Sequence, residues 1–251
     1  MATDVAKQFA QDATSIGAMH GSAKGGRNVR KRIEAMERLG GLTKGRLLDI
    51  GCGTGEYTRT LAQGCTQVDG IEIERNRLDH FREDCPSHVD LHLMSANELD
   101  FADDTFDTVV MIEVLEHLAD PATAMKEIGR VLKPGGSLLL TTPSRRWPLE
   151  QHGVLFRGKR YKSIYAPGLV WVKPLHARFS DAGAFEPNDI AELGAHGELE
   201  LRGHTFMMPP LDSLSEGHRV HTFIDQAEDK IGSHFGQTII ARLDLAIDLD
   251  A

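Results

Sequence analysis

Between residues 46 and 142, short apolar runs alternate with stretches whose apolar residues recur every three or four positions. The first kind reads as buried strand and the second as amphipathic helix. The pattern predicts strands at 46–50, 67–73, 89–94, 106–112 and 137–142, with helices at 56–63, 74–83 and 121–132 between them. The last helix has Pro121 in its first turn and Pro134-Gly135-Gly136 beyond its end, both ordinary boundary signals. Upstream, Val29, Ile33, Met36 and Leu39 form a helical stripe over 27–39, with a basic opposite face. Downstream the pattern predicts a helix at 187–194, a strand at 198–207, a helical stretch near 217–231 and a last strand at 238–247. Strands alternating with helices imply a parallel sheet covered by helices on both faces.

Composition adds the frame. A chain of 251 residues can bury a full core and is expected to form one elaborated domain, 1–251. A hydrophobic content of 41% and a charged content of 26% suit a globular protein in water. No stretch approaches the ~20 apolar residues of a membrane span. Residues 1–15 lack the apolar centre of a signal peptide, so a cytoplasmic location is expected. Cys52, Cys65 and Cys85 have no metal-ligand spacing and read as reduced thiols.

Charge is distributed unevenly. The chain carries a net −9, yet residues 144–179 hold eight Lys or Arg against one acid, Glu150. Trp147, Trp171, Tyr161 and Tyr165 lie in the same stretch, which Gly and Pro interrupt too often for a long helix. Residues 144–186 therefore read as an insertion after the fifth strand, with a task distinct from the core's. A second basic run, Lys24, Arg27, Arg30, Lys31 and Arg32, lies in an N-terminal helical cap spanning 1–40. Together the two suggest electrostatic focusing of an anionic acceptor.

The chemistry concentrates at Leu47-Leu-Asp49-Ile-Gly51-Cys-Gly53-Thr-Gly55, where an apolar strand ends in a turn too tight for side chains. Glycine reaches positive φ freely and lets backbone amides approach a ligand closely. Asp49 precedes that turn, and Glu72 closes the next strand. An acid there can accept hydrogen bonds from ribose hydroxyls. A nicotinamide dehydrogenase would show Gly-x-Gly-x-x-Gly, whereas the third glycine here arrives one residue early.

With GIEIE, SANELDFADDTFDTVV and VLEHLADPATAMKEIGRVLKPGGSLLLTTP in order behind LLDIGCGTG, residues 45–143 resemble the core of class I S-adenosylmethionine (SAM)-dependent methyltransferases. The subgroup most resembled includes the quinone-biosynthesis methyltransferases. The resemblance implies a Rossmann-like α/β fold with seven strands in the order 3-2-1-4-5-7-6, strand 7 antiparallel, and a lid inserted after strand 5. It implies SAM as cofactor and S-adenosylhomocysteine as product. Asp49, Gly51, Gly53, Gly55, Glu72, Ile73, Ser95, Ala96, Asn97 and Glu113 would then bind the cofactor, with Leu99 bordering the adenine. Ser95 departs from the family pattern, which has an acid there to meet the adenine amino group.

Glu113-Val-Leu-Glu116-His117 follows strand four, and a helical turn would put Glu113 and His117 on one face. The motif resembles the metal site of plant small-RNA 3′-end methyltransferases, with His152 or His176 as a further ligand. The preferred reading places no metal there. It takes His117 and His152 as catalytic groups that relieve an acceptor hydroxyl of its proton. The function expected is methyl transfer to an oxygen of a small anionic molecule. A metal-assisted RNA methyltransferase and a non-catalytic SAM-binding module are the alternatives. The exposed-looking run Gly168–Leu175 also suits a membrane surface or a lipophilic acceptor.

Overall fold

The computed structural model describes residues 26–162, 166–207 and 236–246. Each apolar run of the core becomes a strand: β1 (Arg46–Ile50), β2 (Gln67–Glu72), β3 (Val89–Leu93), β4 (Phe106–Ile112) and β5 (Leu132–Pro143). Two short strands follow, β6 (Val154–Phe156) and β7 (Lys159–Tyr161), and then the long pair β8 (Leu199–Met207) and β9 (Thr238–Leu245). Seven of these form one sheet in the order β3-β2-β1-β4-β5-β9-β8. The first four pairings are parallel, whereas β9 runs antiparallel to both β5 and β8. This is the expected Rossmann-like order, with β8 and β9 in the places of the sixth and seventh strands.

Neighbouring residues of the central strands are buried on opposite faces, which explains their unbroken apolar runs. Leu48, Val109 and Leu138 face one cluster with Ala124, Met125 and Ile128 of helix α4 (Pro121–Val131). Leu47, Val110 and Leu139 face another with Val29, Ile33 and Met36 of α1 (Gly26–Leu39) and Leu78 and Phe81 of α3 (Arg75–Arg82). The sequence stripe on α1 is therefore its docking face.

Most boundaries shift by a residue or two, and three of the differences bear on the site or its frame. Helix α2 (Thr58–Leu61) is only four residues long and gives way to a 3-10 turn at Ala62–Gly64. Strand β5 begins at Leu132, and a register shift between Phe106 and Thr108 absorbs Pro134-Gly135-Gly136. Strand β8 begins one residue late because Glu198 sits at φ 59°. The helical stretch expected near 217–231 lies outside the described residues.

The insertion leaves the sheet after β5 and returns to the same point, where Ser144 bridges Phe185. Inside it, β6 and β7 form a hairpin whose turn residues, Arg157 and Gly158, both have positive φ. Helix α5 (Lys173–Phe179) packs against β6, and α6 (Pro187–Gly194) leads into β8. No helix among the described residues is long and apolar enough to cross a membrane.

Candidate functional site

The glycine turn lies at the carboxyl end of β1. The Gly51 and Cys52 amides both donate to the Ile71 carbonyl, at 2.9 and 3.0 Å, tying the turn to β2. Gly51, Gly53 and Gly55 all have positive φ, at 76°, 55° and 83°. Their surroundings differ. A Cβ on Gly51 would lie 2.4 Å from Val114, and one on Gly55 would lie 2.2 Å from the Phe81 ring. A Cβ on Gly53 would find its nearest neighbour among the described residues, the Gly51 carbonyl oxygen, at 4.0 Å. Two of the glycines thus admit protein side chains, while the third faces open space of the kind a ligand needs.

Two buried acids flank this turn. Asp49 accepts the Thr58 hydroxyl at 2.6 Å. Burial raises its carboxyl to about 6; the Thr58 bond opposes that rise and Glu72 adds to it. Glu72 accepts the amides of Gly53 (3.2 Å), Ile73 (2.7 Å) and Glu74 (3.0 Å), so its carboxylate organises both strand ends. Ile73 is 64% exposed beside it, an unusual place for an apolar side chain without a partner. The four-residue α2 adds little helix dipole here, contrary to the expectation of a helix N-terminus behind the glycines.

After β3, Ser95 is exposed and Ala96 is buried. Asn97 Nδ2 donates to the Asp120 carbonyl at 2.6 Å. Leu99 is buried and belongs to the core cluster beneath this turn.

The turn after β4 departs most from the sequence reading. Glu113 adopts φ 53°, outside the helical region, and Leu115–His117 form a 3-10 turn. Glu113 and His117 therefore do not share a helical face. Thr141 Oγ1 donates to Glu113 Oε1 at 2.9 Å, and Arg32 Nη2 lies 3.5 Å from the same oxygen. Arg32 also donates to the Tyr57 hydroxyl at 3.2 Å. Arg32 is thus a cation turned inward from α1 and paired with an acid of the protein itself. Its position one residue before Ile33 and one turn before Met36, inside an amphipathic helix, is the signal that sequence reasoning passed over. Lys24 and the side chain of Arg27 lie outside what the structure describes.

Glu116 is almost fully buried and accepts the Thr142 hydroxyl at 3.2 Å. Burial pushes its carboxyl well up, and neighbouring Glu113 adds to the shift. Glu116 Oε1 and Glu113 Oε2 are buried with no hydrogen-bond partner among the described residues. His152 Nε2 lies 3.9 Å from Glu116 Oε1, and the His152 ring meets the His117 ring edge-on with centroids 4.8 Å apart. Glu116, His117 and His152 each offer a ligand atom, all within 4.8 Å of one another, so carboxylate and two imidazoles could hold a divalent cation. His176 joins a different partner, Glu150, and not this cluster. Burial opposes ionisation of Glu150, but its bonds to His152 and His176 prevail and hold its carboxyl near 2.

Several insertion cations are already matched. Arg145 pairs with Asp189 at 2.8 Å, and Arg160 with Asp181 at 2.6 Å. Trp171, Val172, Leu175, Phe156 and Tyr161 are substantially exposed.

A seven-stranded sheet of this order, with a glycine turn after β1 and an acid closing β2, defines the class I, Rossmann-like methyltransferase fold. Residues 48–140 match the family described as methyltransferase domain. The chain is 33% identical to an O-methyltransferase (cnsE) of Penicillium expansum, over 59% of this chain and 54% of that protein. It is 35% identical to the ubiquinone biosynthesis O-methyltransferase of Alkalilimnicola ehrlichii, over 43% of this chain and 45% of that one. The matches thus span about half the length of these curated relatives. A SAM-dependent methyltransferase from Mesorhizobium loti shares the fold, with a TM-score of 0.61 at 14% identity over 90% of this chain and 99% of that chain.

Proposed function

We propose that the protein is a SAM-dependent methyltransferase acting on an oxygen of a small-molecule acceptor. The observation that carries this is the contact between two turns. Val114 sits against Gly51, so the glycine turn and the Glu113–His117 turn are neighbours at the carboxyl ends of β1 and β4. Open α/β sheets bind ligands there.

The donor side fits the cofactor. Glu72, held by three backbone amides, would accept the ribose hydroxyls, with the exposed Ile73 available as an apolar wall for the base. Asn97, Ser95 and Ala96 would hold the adenine, and the Gly51–Gly55 amides with Asp49 the methionine end. When bound, SAM supplies a methyl group already activated on a sulfonium. The protein's own part is to position the acceptor, exclude water and accept a hydroxyl proton. His117 and His152 are placed for the last task, each neutral imidazole having one ring nitrogen able to take that proton as the oxygen attacks.

The insertion, 144–186, forms the acceptor lid, since Gly183 donates to the Glu116 carbonyl at 2.9 Å and His152 reaches the same turn. With Arg145 and Arg160 paired internally, attraction for an anionic acceptor rests on the remaining Arg and Lys of the insertion. Isotope-labelled SAM with a fractionated cell extract tests the proposal. Label should enter a small molecule at oxygen, whereas label confined to macromolecules or absent altogether would overturn it.

A second reading, metal-assisted methylation of RNA, is favoured only by the Glu116, His117 and His152 cluster. It requires chelator-sensitive turnover and retention of the protein on single-stranded RNA.

A further inference from the structure

The insertion carries an acid that the methyl-transfer reading does not yet use. Glu150 is 2% exposed, in the loop that opens the insertion. Its Oε1 accepts the His152 main-chain amide at 3.1 Å and lies 3.4 Å from His152 Nδ1. Its Oε2 meets Nε2 of His176, which projects from α5 and is itself buried. The His152 carbonyl is held as well, accepting Arg160 Nη1 at 2.6 Å. Asp181 in turn holds that guanidinium.

We propose that Glu150 is a positioning residue: clamped by His176, it fixes His152 as the Nδ1–H tautomer and aims Nε2 at the acceptor space. His152 Nδ1 and Glu150 Oε1 make an electrostatic contact at 3.4 Å rather than a formed hydrogen bond. An ionised carboxylate can only accept, so it favours the tautomer whose proton faces it. In a neutral imidazole the other nitrogen then holds the lone pair. That nitrogen, Nε2, faces the Glu116 side, beside His117. A base with its lone pair on the wrong nitrogen cannot take a proton, so the tautomer decides whether His152 works at all. His176 is 26 residues away along the chain, so the clamp also joins α5 to the loop that bears the base. Glu150 acts through His152 and does not itself meet the acceptor.

The proposal rests on methyl transfer for its purpose, but its direct test needs no acceptor. The full chain, labelled with ¹⁵N-histidine, is examined by long-range proton–nitrogen correlation, and the His152 signals are assigned by their loss in His152→Gln. The wild type should show His152 as Nδ1–H. Glu150→Gln, whose amide can donate or accept, should shift a large part of the population to Nε2–H, and His176→Gln should do so to a smaller degree. Once an acceptor is known, Glu150→Gln should lower kcat by roughly 10²–10⁴-fold with the KM for SAM within about twofold. An Nε2–H tautomer in the wild type would overturn the proposal. So would an unchanged tautomer in both variants; should Glu150→Gln not fold, His176→Gln alone decides. Failure to find any methyl acceptor would sink the functional reading and leave the nuclear resonance result standing.

Discussion

The Thr58 hydroxyl donates to Asp49 Oδ2 at 2.6 Å, and both side chains are shut away from solvent. This single bond is what the buried carboxyl receives in exchange for its hydration, and it falls short. The group therefore titrates near 6, and its charge is left for a ligand to satisfy.

Cofactor binding should tighten with pH for that reason. SAM and S-adenosylhomocysteine both carry an ammonium, which favours ionised Asp49. Calorimetry should show affinity rising about tenfold between pH 5 and pH 7, as a carboxyl titrating near 6 becomes fully charged. Asp49→Asn should weaken binding and flatten the profile.

The same shift has an opposite consequence for the unliganded fold. A raised carboxyl pKa contributes stability that is complete below about pH 4 and is lost as pH passes through 6. The difference from an ordinary aspartate corresponds to about 3 kcal/mol. Urea denaturation without cofactor should show Asp49→Asn more stable than wild type at pH 7, by up to that amount. The gain should vanish near pH 4.

The glycines should separate folding from binding. Gly55→Ala drives a methyl into the Phe81 ring at positive φ and should unfold the protein at a lower denaturant concentration. Gly53→Ala meets no such obstacle and should cost only about 1–2 kcal/mol for its left-handed backbone. Its affinity for S-adenosylhomocysteine should nevertheless fall tenfold or more. Equal affinity in Gly53→Ala and wild type would remove that open face from the donor site.

Arg32→Met should be strongly destabilising. It deletes the cation beside Glu113 and leaves that largely enclosed acid next to the buried Glu116. Breaking such a pair from one side costs about 3–5 kcal/mol. The double variant Arg32→Met with Glu113→Gln should recover part of this loss in urea denaturation, because no uncompensated carboxylate remains at that position.

Much of this was legible from residue order. The sheet, its crossover and the glycine turn follow from apolar periodicity and from the spacing of Asp49, Gly51, Gly53, Gly55 and Glu72. The turn after β4 was not. Its acids and histidine suggested a helix, but Glu113 enters the left-handed region, and the face that forms unites Glu116 and His117 with His152. No local pattern reports a contact across 35 residues. Nor do charge counts report pairing: Arg32, Arg145 and Arg160 of the basic runs all find acids within the fold.

The coincident ends of the insertion, Ser144 against Phe185, give it a particular evolutionary freedom. A loop whose ends already touch can be lengthened, shortened or replaced with little strain on the strands beside it. On the proposed assignment, the grip on the methyl donor lies on one stretch of polypeptide and most of the choice of recipient on another. New recipients can thus be sampled by rewriting residues 145–184, with the donor machinery inherited intact.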